Sequence, residues 1–160
     1  MLAFCGQEKV LIDANGRLRL PQRFADDFNR SCQGSIVMYG LPEGAIALYP
    51  EAVFREMRER ELAGIEQISG SFLLRRSLRR FGSLSCPDKI SPQGRITLPE
   101  VLRAFAGLSA SSPAVLVGVE IGLEIWEPGK LQAEMSEIEN QMQQFRHLEL
   151  QKKITDQSED

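Results

Sequence analysis

The spacing of apolar and polar residues predicts one order of short elements, and this order occurs twice in the chain. A short strand is predicted over 9–12, and a second strand follows in which apolar residues alternate with polar ones at Leu18 and Leu20. Proline then begins a short helical pattern over 21–28, because its missing N–H is tolerated in the opening turn of a helix. A glycine-containing hairpin completes the order, with strands predicted at 35–39 and 45–49.

The same order returns 78 residues later. The segment IDANGRLRLP begins at Ile12 and the segment ISPQGRITLP begins at Ile90, with Ile, Gly, Arg, Leu and Pro at identical offsets. Gly16 and Gly94 occupy the tight turns, where glycine supplies the positive φ that such turns need. The other elements of the second copy are strands at 86–90, at Ile96 and Leu98, at 114–118 and at 123–127, and a helix over 99–106.

Each copy has about 50 residues, which is too few to bury a good core alone. We therefore expect the copies to pack against each other, against another chain, or both. Helices are predicted from Pro50 to about Leu62, over 70–81, and from Pro128 to about Leu150, and the polar residues 151–160 are predicted to fray. The predicted organisation is a first unit at 1–62, a helical linker at 63–83, a second unit at 84–130, and a C-terminal helix with a polar tail at 131–160. This is an α+β fold, mainly β with helices.

The C-terminal helix carries an apolar stripe at helical spacing, which predicts packing in the core or between subunits. The stripe consists of Leu131, Met135, Ile138, Met142 and Phe145.

Charge is distributed unevenly along the chain. The 160 residues carry 19 Lys and Arg against 22 Asp and Glu, a formal charge of −3 that argues at first sight against a nucleic-acid ligand. Residues 131–160, however, hold 3 basic against 7 acidic residues, while 70–95 hold 6 basic residues and one acidic residue. A near-neutral body with a basic stretch and an acidic end remains compatible with a polyanionic partner.

Candidate catalytic and metal-binding groups are sparse. The chain has three cysteines without a CxxC pair, and His147 is its only histidine, so neither a metal site nor a catalytic centre is predicted. We expect no cofactor and no enzymatic activity. The start of the chain has no apolar stretch typical of a signal peptide, and nowhere do 18 apolar residues run together. The sequence therefore predicts a cytoplasmic protein without a membrane partner.

Asp13 and Arg17 flank the first tight turn, so their side chains can meet across it. In one interpretation Asp13 caps the turn backbone and orients Arg17. In the other, Arg17 faces phosphates or a base edge of DNA, and Asp13 holds it in register. The two interpretations are compatible, because an arginine fixed by its neighbour makes a better contact.

Further arginines extend this candidate DNA surface. Arg19 shares a strand face with Arg17, and Arg23 follows in the opening turn of the helix. The second copy has Arg95 but carries Thr97 and Val101 where the first has Arg19 and Arg23. We therefore expect the first copy to make most of the DNA contacts. A second group of arginines, on the linker helix, predicts a solvated face, a subunit contact or a DNA contact; this group is Arg75, Arg76, Arg79 and Arg80.

The strand, Gly-Arg turn, strand, proline-led helix and hairpin resemble the AbrB/SpoVT swapped-hairpin family, most clearly at GRITLPEVLR from Gly94. Two such units in one chain resemble the MraZ family of bacterial regulators over about 4–130. The resemblance implies interleaved hairpins that form a small β-barrel, and ring-like homo-oligomers. It also implies binding to repeated boxes of double-stranded promoter DNA upstream of the protein's own gene, at the head of the division and cell-wall gene cluster, and a link to the methyltransferase encoded beside it.

The resemblance assigns functional positions and exposes one departure. Asp13, Gly16 and Gly94 match motif positions that orient the turn. Arg103 lies eight residues after Arg95, as in AbrB-type chains, and is a further candidate DNA-binding residue. The second copy has Ser91 where the family has aspartate, with Asp88 three residues earlier, so Arg17 is the stronger candidate of the two motif arginines. The alternatives are an AbrB-type antitoxin, or another protein-interaction module, and, less favoured, an enzyme.

Overall fold

The computed structural model describes residues 2–68 and 71–158, which form two compact units, Met1–Glu127 and Pro128–Asp160. The first unit contains eight strands and four helices among its described residues. They are β1 (Gln7–Leu11), β2 (Arg17–Arg19), α1 (Gln22–Cys32), β3 (Ser35–Gly40), β4 (Ile46–Pro50), α2 (Glu51–Ile68), α3 (Ser71–Ser83), β5 (Ser85–Lys89), β6 (Arg95–Thr97), α4 (Glu100–Ala106), β7 (Pro113–Gly118) and β8 (Leu123–Trp126). The second unit is the single helix α5 (Pro128–Ser158).

The two copies exchange strands. Six strands form one sheet in the order β1-β7-β8-β4-β3-β5, so the first strand of each copy pairs with the hairpin of the other. The exchange is reciprocal in register, since Gln7 lies opposite Val117 and Ser85 lies opposite Tyr39 at equivalent positions. The short strands β2 and β6 pair with each other as a separate two-stranded ribbon. This interleaving confirms the tandem swapped-hairpin fold and its α+β class.

Two features of the sheet differ from the sequence expectation. Among the described residues, β1 and β5 are the outer strands and do not pair, so the sheet is not closed into the small barrel that the resemblance implied. Pro87 lies within β5, and a proline has no N–H to donate, which suits an edge strand. The described helices also contain more residues than the strands, so the fold is not mainly β.

One core joins the two copies. Leu18 of β2 lies opposite Ile96 of β6, and both side chains are 2% exposed. The buried cluster around them takes aliphatic and aromatic side chains from both hairpins and from α1 and α4, including Phe24, Phe28, Met38, Leu48, Leu102, Leu116 and Ile125. Of the arrangements left open by the sequence, the copies therefore pack against each other.

The long helices extend past their predicted ends. Helix α2 continues to Ile68, and α5 continues to Ser158, so the predicted fraying is wrong for 151–158. Gln and Lys in this segment are good helix formers, and an i,i+4 contact joins Gln151 to His147. Residue 70 of the predicted linker helix and residues 159–160 of the predicted tail lie outside the described residues. The predicted domain boundaries at 62, 83 and 130 stay predictions.

The apolar stripe of α5 is largely exposed. Met135 and Ile138 are 40% exposed, Met142 is 50% exposed and Phe145 is 60% exposed. Intramolecular core packing is therefore the wrong alternative for these four residues, and packing between subunits stays a prediction. None of the helices within the described residues is both long and apolar enough to cross a bilayer.

Candidate nucleic-acid interface

The ribbon of β2 and β6 brings the arginines of both copies onto one surface. Arg17 lies opposite Thr97, and Arg19 lies opposite Arg95, while Leu18 and Ile96 between them point into the core. Because successive strand residues face opposite sides, the four polar residues share the outer side of the ribbon. We call this outer side the arginine face, and it consists of Arg17, Arg19, Arg95 and Thr97.

The arginine face concentrates positive charge without a full set of counterions. Like charges directly opposite across two strands destabilise the pairing, and Arg19 and Arg95 are such a pair. A surface depression of about 340 Å³ beside the ribbon is lined by Arg17, Lys89 and Arg95, with Asp88 as the only acidic residue in its lining. Sequence reasoning did not single out Lys89, although it belongs to the basic stretch 70–95. This combination favours an anionic ligand.

The first-copy turn, residues 13–17, is organised by the Asp13 carboxylate. Its Oδ1 accepts the backbone N–H groups of Asn15 at 2.8 Å and Arg17 at 2.9 Å, and its Oδ2 accepts the Arg17 Nε at 3.2 Å. The hydrogen bond from the Arg17 backbone, followed by that from Asn15, lowers the pKa of Asp13 below its ordinary value, which keeps the carboxylate charged at neutral pH. Asp13 therefore both caps the turn and orients Arg17. Among the described residues, the terminal Nη groups of Arg17 have no hydrogen-bond partner and are available to a ligand.

The second-copy turn, residues 91–95, keeps the cap and lacks the carboxylate. Ser91 Oγ accepts the Arg95 backbone N–H at 2.9 Å, which reproduces one of the Asp13 bonds. Asp88 does not take over the other role, since its Oδ1 accepts the N–H of the adjacent Lys89. Within the described part of the chain, the Arg95 guanidinium has no acidic partner, and the side chain is exposed. Arg95 is thus less restrained than Arg17.

Arg23 is placed at a different contact. Its Nε donates to the Glu8 carboxylate at 2.6 Å, its Nη1 donates to the Cys5 carbonyl at 2.6 Å, and the guanidinium lies over the Phe24 ring. These bonds tie α1 to β1 and to the segment that precedes it. The side chain is still 46% exposed, and a DNA contact by Arg23 stays a prediction.

Arg103 comes from the second copy but lies against the first-copy turn. Its Nε donates to the Leu98 carbonyl at 3.1 Å, and a Cβ built on Gly16 would lie 2.8 Å from that Nε. Gly16 is required by its φ of +77°, and the Arg103 guanidinium lies directly against it. The sequence motif did not reveal this contact because it depends on the exchange of strands.

The four arginines of α3 have different surroundings. Arg80 donates to the Gly40 carbonyl at 2.7 Å, and its guanidinium lies 5.4 Å from the ring centroids of both Tyr39 and Phe105. Arg80 therefore fastens α3 to the sheet by intramolecular contacts. Arg76 lies over the exposed Phe72 ring, and Arg75 and Arg79 are exposed. The alternatives of solvated face, subunit contact and DNA contact stay open for these three.

Within the described residues, no cluster of three or more His, Cys, Asp or Glu side chains has the arrangement of a metal site. Cys5, Cys32 and Cys86 are free thiols. Burial is the larger of two effects that raise the pKa of Cys86, and the nearby charge of Asp88 is the other. A raised pKa keeps this thiol protonated at neutral pH, which does not favour a nucleophilic role.

Comparisons with known proteins agree on one family. The sequence profile of the family described as "MraZ protein, putative antitoxin-like" matches residues 89–153. The Transcriptional regulator MraZ of Nitrosomonas europaea is 31% identical over 133 residues, which cover 82% of this chain and 86% of that protein. The proteins of the same name from Lachnoclostridium phytofermentans and Frankia casuarinae are 30% and 32% identical, over 89% and 91% of this chain and 96% and 93% of their own lengths.

The matched shares of 82% to 91% of this chain are much longer than one copy of the repeat. The chain belongs to the MraZ family.

Proposed function

We propose that this protein is a sequence-specific DNA-binding transcriptional regulator whose DNA contacts are made by the arginine face. The observation that carries the proposal is the placement of Arg17, Arg19 and Arg95 on one side of the β2–β6 ribbon. The names of the curated relatives, all transcriptional regulators, support the same role.

The shape of the arginine face suits duplex DNA. The major groove admits a two-stranded β-ribbon, and arginine can bond two acceptors of a guanine edge at once or bind phosphate. Arg17 is pre-oriented by Asp13, which favours a contact of defined geometry. Arg95 has no such partner among the described residues, and this suits a phosphate contact that tolerates small changes of position. This difference supports the expectation that the first copy contributes more to sequence specificity.

One chain offers few cations to DNA, so we propose that affinity comes from several chains that bind neighbouring boxes. After one chain has bound, the next meets its box at high effective concentration. The exposed apolar stripe of α5 supports self-association, because a row of Met135, Ile138, Met142 and Phe145 in water is unfavourable. A ring-like homo-oligomer, as the family resemblance implies, is the proposed assembly, and light scattering measures its mass.

The target and further partners follow from the family resemblance. We propose that the boxes lie upstream of the protein's own gene, within the division and cell-wall cluster, and that the regulator acts in the cytoplasm on the nucleoid. An interaction with the adjacent methyltransferase stays a prediction. No cofactor is proposed.

The experiment that tests this function is a gel shift on DNA from upstream of the gene. We expect binding that weakens as salt rises, because Arg17, Arg19, Lys89 and Arg95 displace counterions from phosphates. With four such contacts, log K should fall by roughly 3 to 4 per tenfold increase in salt for each bound chain. Scrambled DNA of the same length is the control. Equal affinity for scrambled DNA, or no binding at low salt, would contradict the proposal.

The alternative function is an antitoxin or other protein-interaction module, and the description of the matching family favours keeping it. A toxin gene next to this gene would support that function, whereas a methyltransferase gene would support the regulator. An enzyme is disfavoured, since Ser91 and Asp88, which both line the depression, have no hydrogen bond to each other among the described residues.

A further inference from the structure

The two tight turns of the ribbon are equivalent in sequence but not in support. The Arg103 guanidinium covers the first-copy turn, where a Cβ on Gly16 would meet its Nε, Cζ and Nη2 at 2.8–3.1 Å. At the equivalent position of the second-copy turn, a Cβ on Gly94 would meet only the Leu20 carbonyl and the Ala25 Cβ, at 3.6 and 3.7 Å. Ala25 stands in the first copy where Arg103 stands in the second.

Beside the second-copy turn lies a cleft of about 500 Å³ that is lined by Ala25, Ser91 and Gly94 and by polar residues of α1. The equivalent face of α4 borders a depression of about 440 Å³ lined by Glu100, Arg103 and Gly107, so open space lies beside both helices. The copies differ in the side chain: the Arg103 guanidinium reaches Gly16, whereas the short side chain of Ala25 brings no polar group to Gly94. The first-copy turn therefore has two supports, Asp13 and Arg103, and the second-copy turn has only Ser91.

A short series of bonds connects Arg103 to the turn that carries Arg17. Its Nε donates to the Leu98 carbonyl, and the Leu98 N–H donates to the Gly16 carbonyl at 2.9 Å. The guanidinium thus holds the end of β6 and lies on the turn backbone at the same time. An arginine in this position limits the movement of the turn without having to touch a ligand.

We infer that Arg103 is a positioning residue that braces the first-copy turn so that Arg17 presents a fixed geometry to DNA. It acts through Arg17 and is not itself a DNA contact. The inference rests on the proposed function for its effect on DNA affinity, while the brace itself is a property of the free protein.

A double-mutant cycle tests the action through Arg17. Arg17→Ala should lower promoter affinity about tenfold or more, which is the range for one base or phosphate contact. Arg103→Ala should lower it about fivefold in the wild-type chain but less than twofold in the Arg17→Ala chain, because the brace then has nothing to position. Equal losses in both backgrounds would overturn the inference, since independent contacts add. If Arg17→Ala does not change promoter affinity, the proposed DNA contact is wrong. The brace is then tested by amide hydrogen exchange of the free protein alone.

Amide hydrogen exchange of the free protein tests the brace without DNA. The Gly16 and Arg17 amides should exchange about fivefold faster in Arg103→Ala than in the wild type. Arg103→Lys keeps the charge but loses the planar Nε donor, so it should exchange like the alanine variant. A lysine variant that keeps both slow exchange and full DNA affinity, or an alanine variant with unchanged exchange, would overturn the inference.

The reciprocal change protects the test against a variant that fails to fold. Ala25→Arg combined with Ser91→Asp supplies the second-copy turn with both supports of the first. The cleft has room for the longer side chain, and the Gly94 and Arg95 amides should exchange about fivefold more slowly. Unchanged exchange at this turn in a folded variant would show that the two side chains are not what restrains it.

Discussion

The double variant Arg19→Ala/Arg95→Ala should lose about 100-fold or more of its promoter affinity, since each arginine contact contributes about 1–3 kcal/mol. The two side chains lie directly opposite each other on the arginine face. Each assembled chain loses the same contacts, so the effect on a multi-box promoter should exceed that on a single box. Gel shifts on both DNAs measure the loss.

The same variant should be as stable as the wild type or more stable. The pair of guanidinium groups opposes the pairing of β2 with β6, and its removal relieves that repulsion without opening the core beneath. Denaturant unfolding measures the free energy of unfolding. A loss of promoter affinity without a loss of stability indicates a binding surface. If the arginine pair were structural, the variant would lose stability instead.

The matched control is Arg55→Ala/Arg60→Ala. These two arginines are 64% and 79% exposed on α2 and pair with Glu51 and Glu56. Their removal takes the same charge from the chain and should change promoter affinity less than about threefold, because only long-range electrostatics is affected. A control loss as large as that of the Arg19→Ala/Arg95→Ala variant would contradict a localised DNA surface.

Gly118→Ala should destabilise the chain by about 3 kcal/mol, at the upper end of the usual cost of overpacking. A Cβ on Gly118 would lie 2.3 Å from the Phe4 carbonyl oxygen and 2.5 Å from the Cys5 nitrogen, which are backbone atoms that cannot swing aside. The segment before β1 would have to lift. That movement would break the hydrogen bonds from Gly118 to Gly6 and from Glu120 to Phe4.

Lifting this segment also exposes a buried anchor. Phe4 is 3% exposed, packs against the Phe28 ring at 4.6 Å, and donates its N–H to the Asp27 carboxylate at 3.0 Å. Gly64→Ala is the matched control, because a Cβ at this position in α2 would meet no atom within 4 Å. It should stabilise the chain by about 0.5–1 kcal/mol, the usual difference between glycine and alanine in a helix. If the two variants have equal free energies of unfolding, the close approach of the backbone at Gly118 does not contribute to stability.

Local pattern predicted the elements well because the repeat supplied the same evidence twice. The alternation at Leu18 and Leu20 and at Ile96 and Leu98 marked the strands that do bury those side chains. The pairing of β2 with β6 could not be derived from local spacing, because the register between strands 78 residues apart is fixed by the shared core. The swapped-hairpin resemblance implied interleaved hairpins but did not specify this pairing.

In the candidate site, too, local contacts could be predicted from the sequence, whereas contacts between distant segments could not. Asp13, Gly16 and Arg17 form a local unit, so their contacts could be expected from the turn alone. The surroundings of Arg103 and Arg80 depend on distant segments, at Gly16 and at Gly40, and no motif carries that information. The predicted α5 was too short. The polar residues after Leu150 were interpreted as a frayed tail, but several of them are also good helix formers.

The central claim is that both copies of the repeat contribute to one DNA-binding face on the ribbon. Hydrogen exchange of the intact protein with and without promoter DNA tests it most directly, because it locates the contact without any substitution. We expect protection over both 13–19 and 91–97, at half-saturating and saturating DNA and in low salt. Protection restricted to α1, α3 or α5, with both turns unchanged, would contradict the claim.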